Sequence, residues 1–222
     1  MQTVIDTSTW ASAGLWKIAP ADLPWIAEGT RIRIGRGASI GERASIGRGA
    51  RIGDLASIGR GASISEGASV GEHASIGGGA SIGRGASIGE DASIGRGARI
   101  GERASIGDLA SIGGGARIGE GASIGGGASI GRGASIGEDA SIGEGASIGP
   151  NSVGAIDLGS VDGYRKCIAQ INGVAYIGAG CRWFPLAKAL HHWGNHAEDR
   201  RLTMCLMQSA VAIAALKGWA HE

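Results

Sequence analysis

Between Ile34 and Val153 the chain repeats one six-residue unit, Ile-Gly-x-x-Ala-Ser, twenty times without insertion or deletion. The apolar positions hardly vary. The first is Ile in nineteen units and Val70 in the other; the fifth is Ala in nineteen and Ser152 in the last. Along Ala-Ser-Ile the side chains alternate, so Ala and Ile point one way and Ser the other. Ile is β-branched and favours extended backbone. The second position is Gly in nineteen units and Ser65 in the other, and a further Gly commonly follows two places on. Both suit turns that need positive φ or a close backbone approach. A short strand and a sharp turn every six residues must coil to bury the Ile columns. Three such sides make a triangular coil of eighteen residues, so the twenty units predict between six and seven coils, roughly 30 Å tall at about 4.8 Å per coil.

The flanks follow other patterns. Residues 1–33 carry Trp10, Trp16 and Trp25 with Pro20 and Pro24, whereas the repeats hold no aromatic residue. A solenoid must cover its exposed terminal coil, and 1–33 is predicted to be that N-terminal cap. Residues 154–222 predict a small C-terminal α+β capping module. Lys166 to Ile171, Asn172-Gly173 and Val174 to Ile177 read as a hairpin with a type I′ turn. Pro185 opens a short helix, Leu186 to Trp193, that stops at Gly194-Asn195. Arg201 to Lys217 reads as a helix ending at Gly218. Its apolar residues (Leu202, Cys205, Leu206, Val211, Ile213, Leu216) run nearly all round, which predicts burial.

Composition narrows the class. Glycine, at 44 of 222 residues, is far above the average of roughly 7%. Collagen needs a period of three with abundant proline, and proline is absent from Ile34 to Gly149. A formal net charge of +1 argues against nucleic acid as a partner, since phosphates demand a basic face. No apolar run of about 18 residues exists to span a membrane. The start, Met1-Gln-Thr-Val-Ile-Asp, has neither the basic segment nor the apolar core of a leader. Cys167, Cys181 and Cys205, all after the repeats, read as free thiols. Together these features predict a cytoplasmic chain.

The hexad resembles the repeat of the left-handed parallel β-helix family, many of whose members are acyltransferases. The likeness covers 34–153, and the left hand of the coil is what it implies. The fold class expected is an all-β solenoid with a small α+β cap. In the last module, Gly180-Cys181-Arg182-Trp183-Phe184 with Ala189, His192 and Trp193 resembles a terminal module of uncharacterised phage and bacterial proteins, and a virion-associated chain is the alternative location this resemblance implies.

Wrapping the sequence by eighteen gives three faces. One carries an unbroken row of Ser39, Ser57, Ser75, Ser93, Ser111, Ser129 and Ser147; the others carry Arg33, Arg51, Arg99 and Arg117 among their serines. One corner stacks Arg48, Glu66, Arg84 and Glu102, opposite charges one coil apart. Another alternates Arg60, Gly78, Arg96, Gly114 and Arg132. The third stacks the acids Asp54, Glu72, Glu90 and Asp108, which should repel. At the next position, mostly Gly elsewhere, it carries Leu55, His73, Asp91 and Leu109. These four predict a contact surface, most simply a twofold edge with Leu55 against the partner copy's Leu109 and His73 against its Asp91. The family resemblance implies instead a trimer about a threefold axis. Self-association, or association with another protein, is the partner expectation.

Candidate chemistry is sparse. His73 is the only histidine in the repeats, and hexapeptide acyltransferases, by resemblance, use a histidine base between subunits. A turn position of positive φ, which His tolerates, explains it equally well. His191, His192 and His196 with Cys181 and Cys205 could suggest a metal. Gly194-Asn195 breaks the helical spacing of His192 and His196, so no metal or other cofactor is expected. The Ile columns, Ile40, Ile58, Ile76, Ile94, Ile112 and Ile130 among them, are assigned to the core. With no loop to wall a pocket, the sequence favours a rigid, capped scaffold or spacer without catalytic activity. The alternative is an acyl-CoA-dependent hexapeptide acyltransferase, and the third reading is an ice- or lattice-binding serine face.

Overall fold

A computed structural model describes residues 2–4, 12–13, 16–18, 31–161, 164–179, 182–194 and 201–220. Residues 31–153 form a parallel β-solenoid of about seven triangular coils. Its three walls are ladders of two-residue strands, each paired one coil apart, as in Ser75 opposite Ser57 and Ile76 opposite Ile58. The alternation read from the sequence holds. The core columns Ile40, Ile58, Ile76, Ile94, Ile112 and Ile130 are at most 2% exposed, and the Ala residues below them are as deeply buried.

The two glycine positions answer different demands. A Cβ at the second position would collide with the backbone of the next coil; at Gly95 it would lie 2.4 Å from the Gly114 nitrogen. The fourth position needs positive φ, +67° at Gly97 for example, with open space beside it. Hydrogen bonds then run from coil to coil even through the turns. The fourth-position N–H donates to the third-position carbonyl of the preceding coil, as His73 does to Asp54 at 2.9 Å.

Both ends of the ladders meet antiparallel strands. At the start, Gln2–Val4 pairs with Ser39–Gly41, and Trp16–Ile18 pairs with Arg31–Ile34. Trp10 and Trp25 lie outside the described residues. At the other end the chain leaves the coil as a meander, Val153–Val161, Tyr164–Ile171, Val174–Ala179 and Arg182–Pro185, which extends the third wall. Asn172 and Gly173 both have positive φ, +51° and +87°, as a type I′ turn requires. Helices α1 (Leu186–Gly194) and α2 (Arg201–Lys217) pack beside the meander.

α2 departs from expectation. It buries its small side, Thr203, Met207, Ala210 and Ala214, while Leu202 and Leu216 are 65% and 88% exposed and Cys205 is also exposed. Its apolar residues occupy more of the circumference than the meander can cover. The helix ends in a Schellman turn: Gly218, at φ +65°, donates to Ala215 and Trp219 donates to Ala214. The turn brings the buried Trp219 against Gly154. No helix of the described residues is long and apolar enough to cross a membrane.

Candidate functional site

The corner that precedes the serine wall carries the chemistry-bearing strip. Leu55, His73, Asp91 and Leu109 stand at the fourth position in four successive coils, with φ of +57°, +56°, +53° and +59°. Their N–H groups are fixed by the coil below: Leu55 donates to Arg36, His73 to Asp54, Asp91 to Glu72 and Leu109 to Glu90, at 2.8–3.0 Å. All four side chains are therefore aimed outward along one edge. Leu55 and Leu109 are 57% and 69% exposed, and His73 and Asp91 are exposed between them. Each non-glycine at such φ costs about 1–2 kcal/mol, so the strip is held against a local conformational preference.

The acids beside it do not form the simple repulsive ladder expected. The Asp54 carboxylate accepts the Arg36 N–H at 2.8 Å, with the Arg36 guanidinium 3.8 Å away. The Asp108 carboxylate accepts the Glu90 N–H at 2.9 Å. Two of the four carboxylates thus turn onto the third-position N–H of the neighbouring coil, leaving Glu72 and Glu90 beside His73. On the opposite-charge corner, Arg48 and Glu66 pair at 3.1 Å, and Arg103 pairs with Glu120. The latter pair borders an open concavity of about 370 Å³, lined also by Gly121, Glu138 and Asp139.

Other candidates fall apart in space. His191 and His192 are in the last turn of α1, and the His192 ring meets Trp193 edge-on at 5.9 Å. Cys205 is on the exposed side of α2, and His196 and Cys181 lie outside the described residues. Among the described residues no group of three His, Cys, Asp or Glu side chains is placed to hold a metal ion. Cys167 is buried, and burial, with the charge of Asp157 4.0 Å from its sulfur, pushes its pKa up to about 12. It remains a thiol and is no nucleophile.

One polar cluster was missed from sequence. Asp157 accepts hydrogen bonds from the Gly143 and Gly159 N–H groups and pairs with Arg165 at 2.5 Å. Burial pushes its pKa up, but the Arg165 and backbone hydrogen bonds and the Arg165 charge outweigh this and hold it below the usual carboxylate range. The cluster locks the meander to the last full coil. No sequence signal marked it, because Gly143 and Asp157 meet only through the coil's return.

Comparison with known proteins bears on the solenoid. Residues 97–132 match the family described as bacterial transferase hexapeptide (six repeats). The same hexad runs through 34–153, so the coil is a hexapeptide-repeat β-helix. No curated protein matches the chain. Among solved structures it resembles the acetyltransferase domain of PglB from Neisseria gonorrhoeae FA1090 in complex with acetyl coenzyme A. Identity is 23%, over 42% of this chain and 47% of that one, with a TM-score of 0.38. It also resembles a mutant perosamine N-acetyltransferase from Caulobacter crescentus in complex with CoA and GDP-perosamine. There identity is 29%, coverage 43% and 45%, and the TM-score 0.40. With UDP-N-acetylglucosamine O-acyltransferase from Moraxella catarrhalis the values are 16%, 84% and 92%, and 0.44. The chain spans about half the length of the first two.

The match to bacterial transferases overturns the expectation of a non-catalytic scaffold or spacer; the acyltransferase alternative fits it better. The absence of a loop in a single coil, on which the scaffold reading rested, does not exclude a site completed by a second copy. The phage-module resemblance of residues 180–193 and the virion association drawn from it find no support in these matches.

Proposed function

We propose that this hexapeptide-repeat protein is an acyltransferase that takes its acyl group from acyl-CoA and passes it to a hydroxyl or amine. The observation that carries the reading is the match of the coil to bacterial transferase hexapeptides. His73 is the residue to which we assign the base. Its imidazole is exposed on the corner, its backbone is fixed by the Asp54 carbonyl, and the carboxylates of Glu72, Glu90 and Asp91 lie on the same corner one coil away at most. In the reaction His73 removes the acceptor proton as the acceptor oxygen or nitrogen attacks the thioester carbonyl. The tetrahedral adduct then collapses, the carbon–sulfur bond breaks, and the CoA thiolate leaves and takes a proton.

A lone solenoid corner is convex and walls no pocket. We assign the missing wall to a second copy meeting this one along Leu55, His73, Asp91 and Leu109, which places the candidate base inside the contact. In the same reading residues 1–33 and 154–222 are caps that cover the terminal coils. The test is thiol release from acetyl-CoA by the full chain against a panel of amino sugars and sugar alcohols, with His73→Asn alongside. Loss of a general base should lower kcat by about 10²–10⁴-fold. Absence of thiol release with every acceptor, or an undiminished rate in His73→Asn, would refute the respective assignment.

A further inference from the structure

On the wall opposite the acidic corner, four arginines flank a bare turn. Arg99 and Arg117 are register partners in adjacent parallel strands, so their outward side chains leave the wall about 4.8 Å apart. Like charges placed so are unfavourable, and elsewhere on this wall the position is Ser from Ser45 to Ser81 and again at Ser135. At the turn that feeds the wall, Arg96 and Arg132 stand two coils apart, about 10 Å, with Gly114 between them. A Cβ at Gly115 would meet nothing within 4 Å, so the turn between the two arginines is open to solvent. Arg96, Arg99, Arg117 and Arg132 are all exposed, and none pairs with an acid among the described residues. Glu102 and Glu120 are at the far corner of the wall, and Glu120 is taken by Arg103.

The backbone at this turn is also available. The third-position N–H lies outside the coil ladder, and the Gly114 N–H donates to no group among the described residues. The molecule itself shows what such a donor takes. On the acidic corner the equivalent N–H groups of Arg36 and Glu90 each receive a carboxylate oxygen from the next coil, at 2.8 and 2.9 Å. Above Gly114 the next coil offers Arg132 in place of an acid. A bare anion-accepting N–H with four exposed arginines on its own and the adjacent coils suits an oxyanion of more than one charge, and paired guanidinium forks match phosphate oxygens best.

We infer that Gly114, with Arg96, Arg99, Arg117 and Arg132, forms a binding site for a phosphate or pyrophosphate group of a small ligand. The cluster is too local for a nucleic acid, whose flanking phosphates would meet Glu102, Glu120 and Glu138 along the far corner of the wall. The site stands on this geometry alone. Only the ligand's identity rests on the acyltransferase reading, under which the group belongs to the phosphorylated part of the acyl donor or to a nucleotide-linked acceptor.

Calorimetric titration of the full chain with inorganic pyrophosphate, CoA and UDP at low salt tests it, beside Arg99→Gln/Arg117→Gln, Gly114→Glu and the control Arg84→Gln. All four positions are at the surface, and thermal melting checks that each variant folds. We expect pyrophosphate to bind the wild type and Arg84→Gln alike, and at least about tenfold more weakly to the other two. The nucleotide whose affinity falls in parallel is the source of the group. No pyrophosphate binding at millimolar concentration, or equal binding by Arg99→Gln/Arg117→Gln, overturns the site. If acetyl-CoA turns over and the double variant leaves its KM and pyrophosphate affinity unchanged, the site fails and the enzyme reading stands. If pyrophosphate binding depends on the arginines but no acyl transfer occurs, the reverse holds.

Discussion

Ile94 in the solenoid and Ile168 in the C-terminal module are equally buried, at 1% and 0%, but their surroundings differ in kind. Around Ile94 the repeat supplies only more isoleucine and alanine, with Ile76 and Ile112 one coil away on the same wall and no charged side chain inside the coil. Around Ile168 the chain has drawn charge inward. Lys166 is 2% exposed and donates to the Val161 carbonyl at 3.0 Å, and Asp157 and Arg165 pair across adjacent strands. A repeated unit can satisfy its backbone and its core by matching its neighbour. The end of a repeat has no neighbour to match and needs specific polar contacts to replace one.

The comparison breaks most visibly if the module is removed. Truncation after Val153 takes away the meander that pairs with the third wall and the Asp157 carboxylate that holds the Gly143 N–H. The last coil then presents an open strand edge, and we expect aggregation in place of a smaller soluble protein. Size-exclusion chromatography with light scattering reads the result. A monomeric truncation with an intact strand spectrum would mean that the solenoid closes itself.

Within the coil, Ile94→Ala removes a side chain with identical neighbours above and below and should cost about 2–5 kcal/mol in a denaturant melt. A loss under about 1 kcal/mol would place Ile94 outside the core.

These contrasts also explain what could be read from the chain. Period, strand alternation, the Ile columns and the I′ turn at Asn172-Gly173 are local, so residues a few places apart specify them. The bounds of α1 and α2 fall within a residue of their sequence signals for the same reason. The burial of α2 was misjudged because its helical period is silent on how much of its circumference a partner can cover. On the solenoid the strip at Leu55, His73, Asp91 and Leu109 was visible, since wrapping by eighteen restores the third dimension. The turn of Asp54 and Asp108 onto backbone N–H groups was hidden by the same wrapping, which places residues but not rotamers.

The two regions should also part company in acid. The pKa of Asp157 is held below the ordinary carboxylate value, so its contribution to stability is complete above the unfolded value of about 3.9 and is lost as pH falls through the folded pKa. The module should therefore loosen below about pH 4 while the uncharged core of the coil persists. All six tryptophans lie outside the repeats, so tryptophan emission should change at higher pH than the far-ultraviolet strand signal. Asp157→Asn should weaken the module at neutral pH and flatten this acid response. Coincident transitions in both signals, unchanged by Asp157→Asn, would show that the pair does not govern the module.

The smallest effect bears on why four successive coils of one corner lack the fourth-position glycine. Leu109 adopts φ +59°, which costs about 1–2 kcal/mol relative to glycine. Glycine returns about 0.5–1 kcal/mol of that through its freer unfolded chain. Leu109→Gly should therefore leave the dilute chain unchanged or more stable by up to about 1.5 kcal/mol, although it deletes a large apolar side chain. Leu55→Gly should act in the same direction but less, because the Leu55 side chain leans over Gly37 of the coil below. A leucine that is 69% exposed and costs its own fold stability is best explained by a contact with another molecule. The double variant is accordingly expected to melt no lower than the wild type when dilute, and to assemble less when concentrated, by analytical ultracentrifugation. If it melts lower, the leucines support the coil itself. If it is as stable as expected and assembles like the wild type, the strip is a solvated corner, and the second copy assigned to the His73 site must approach from another side.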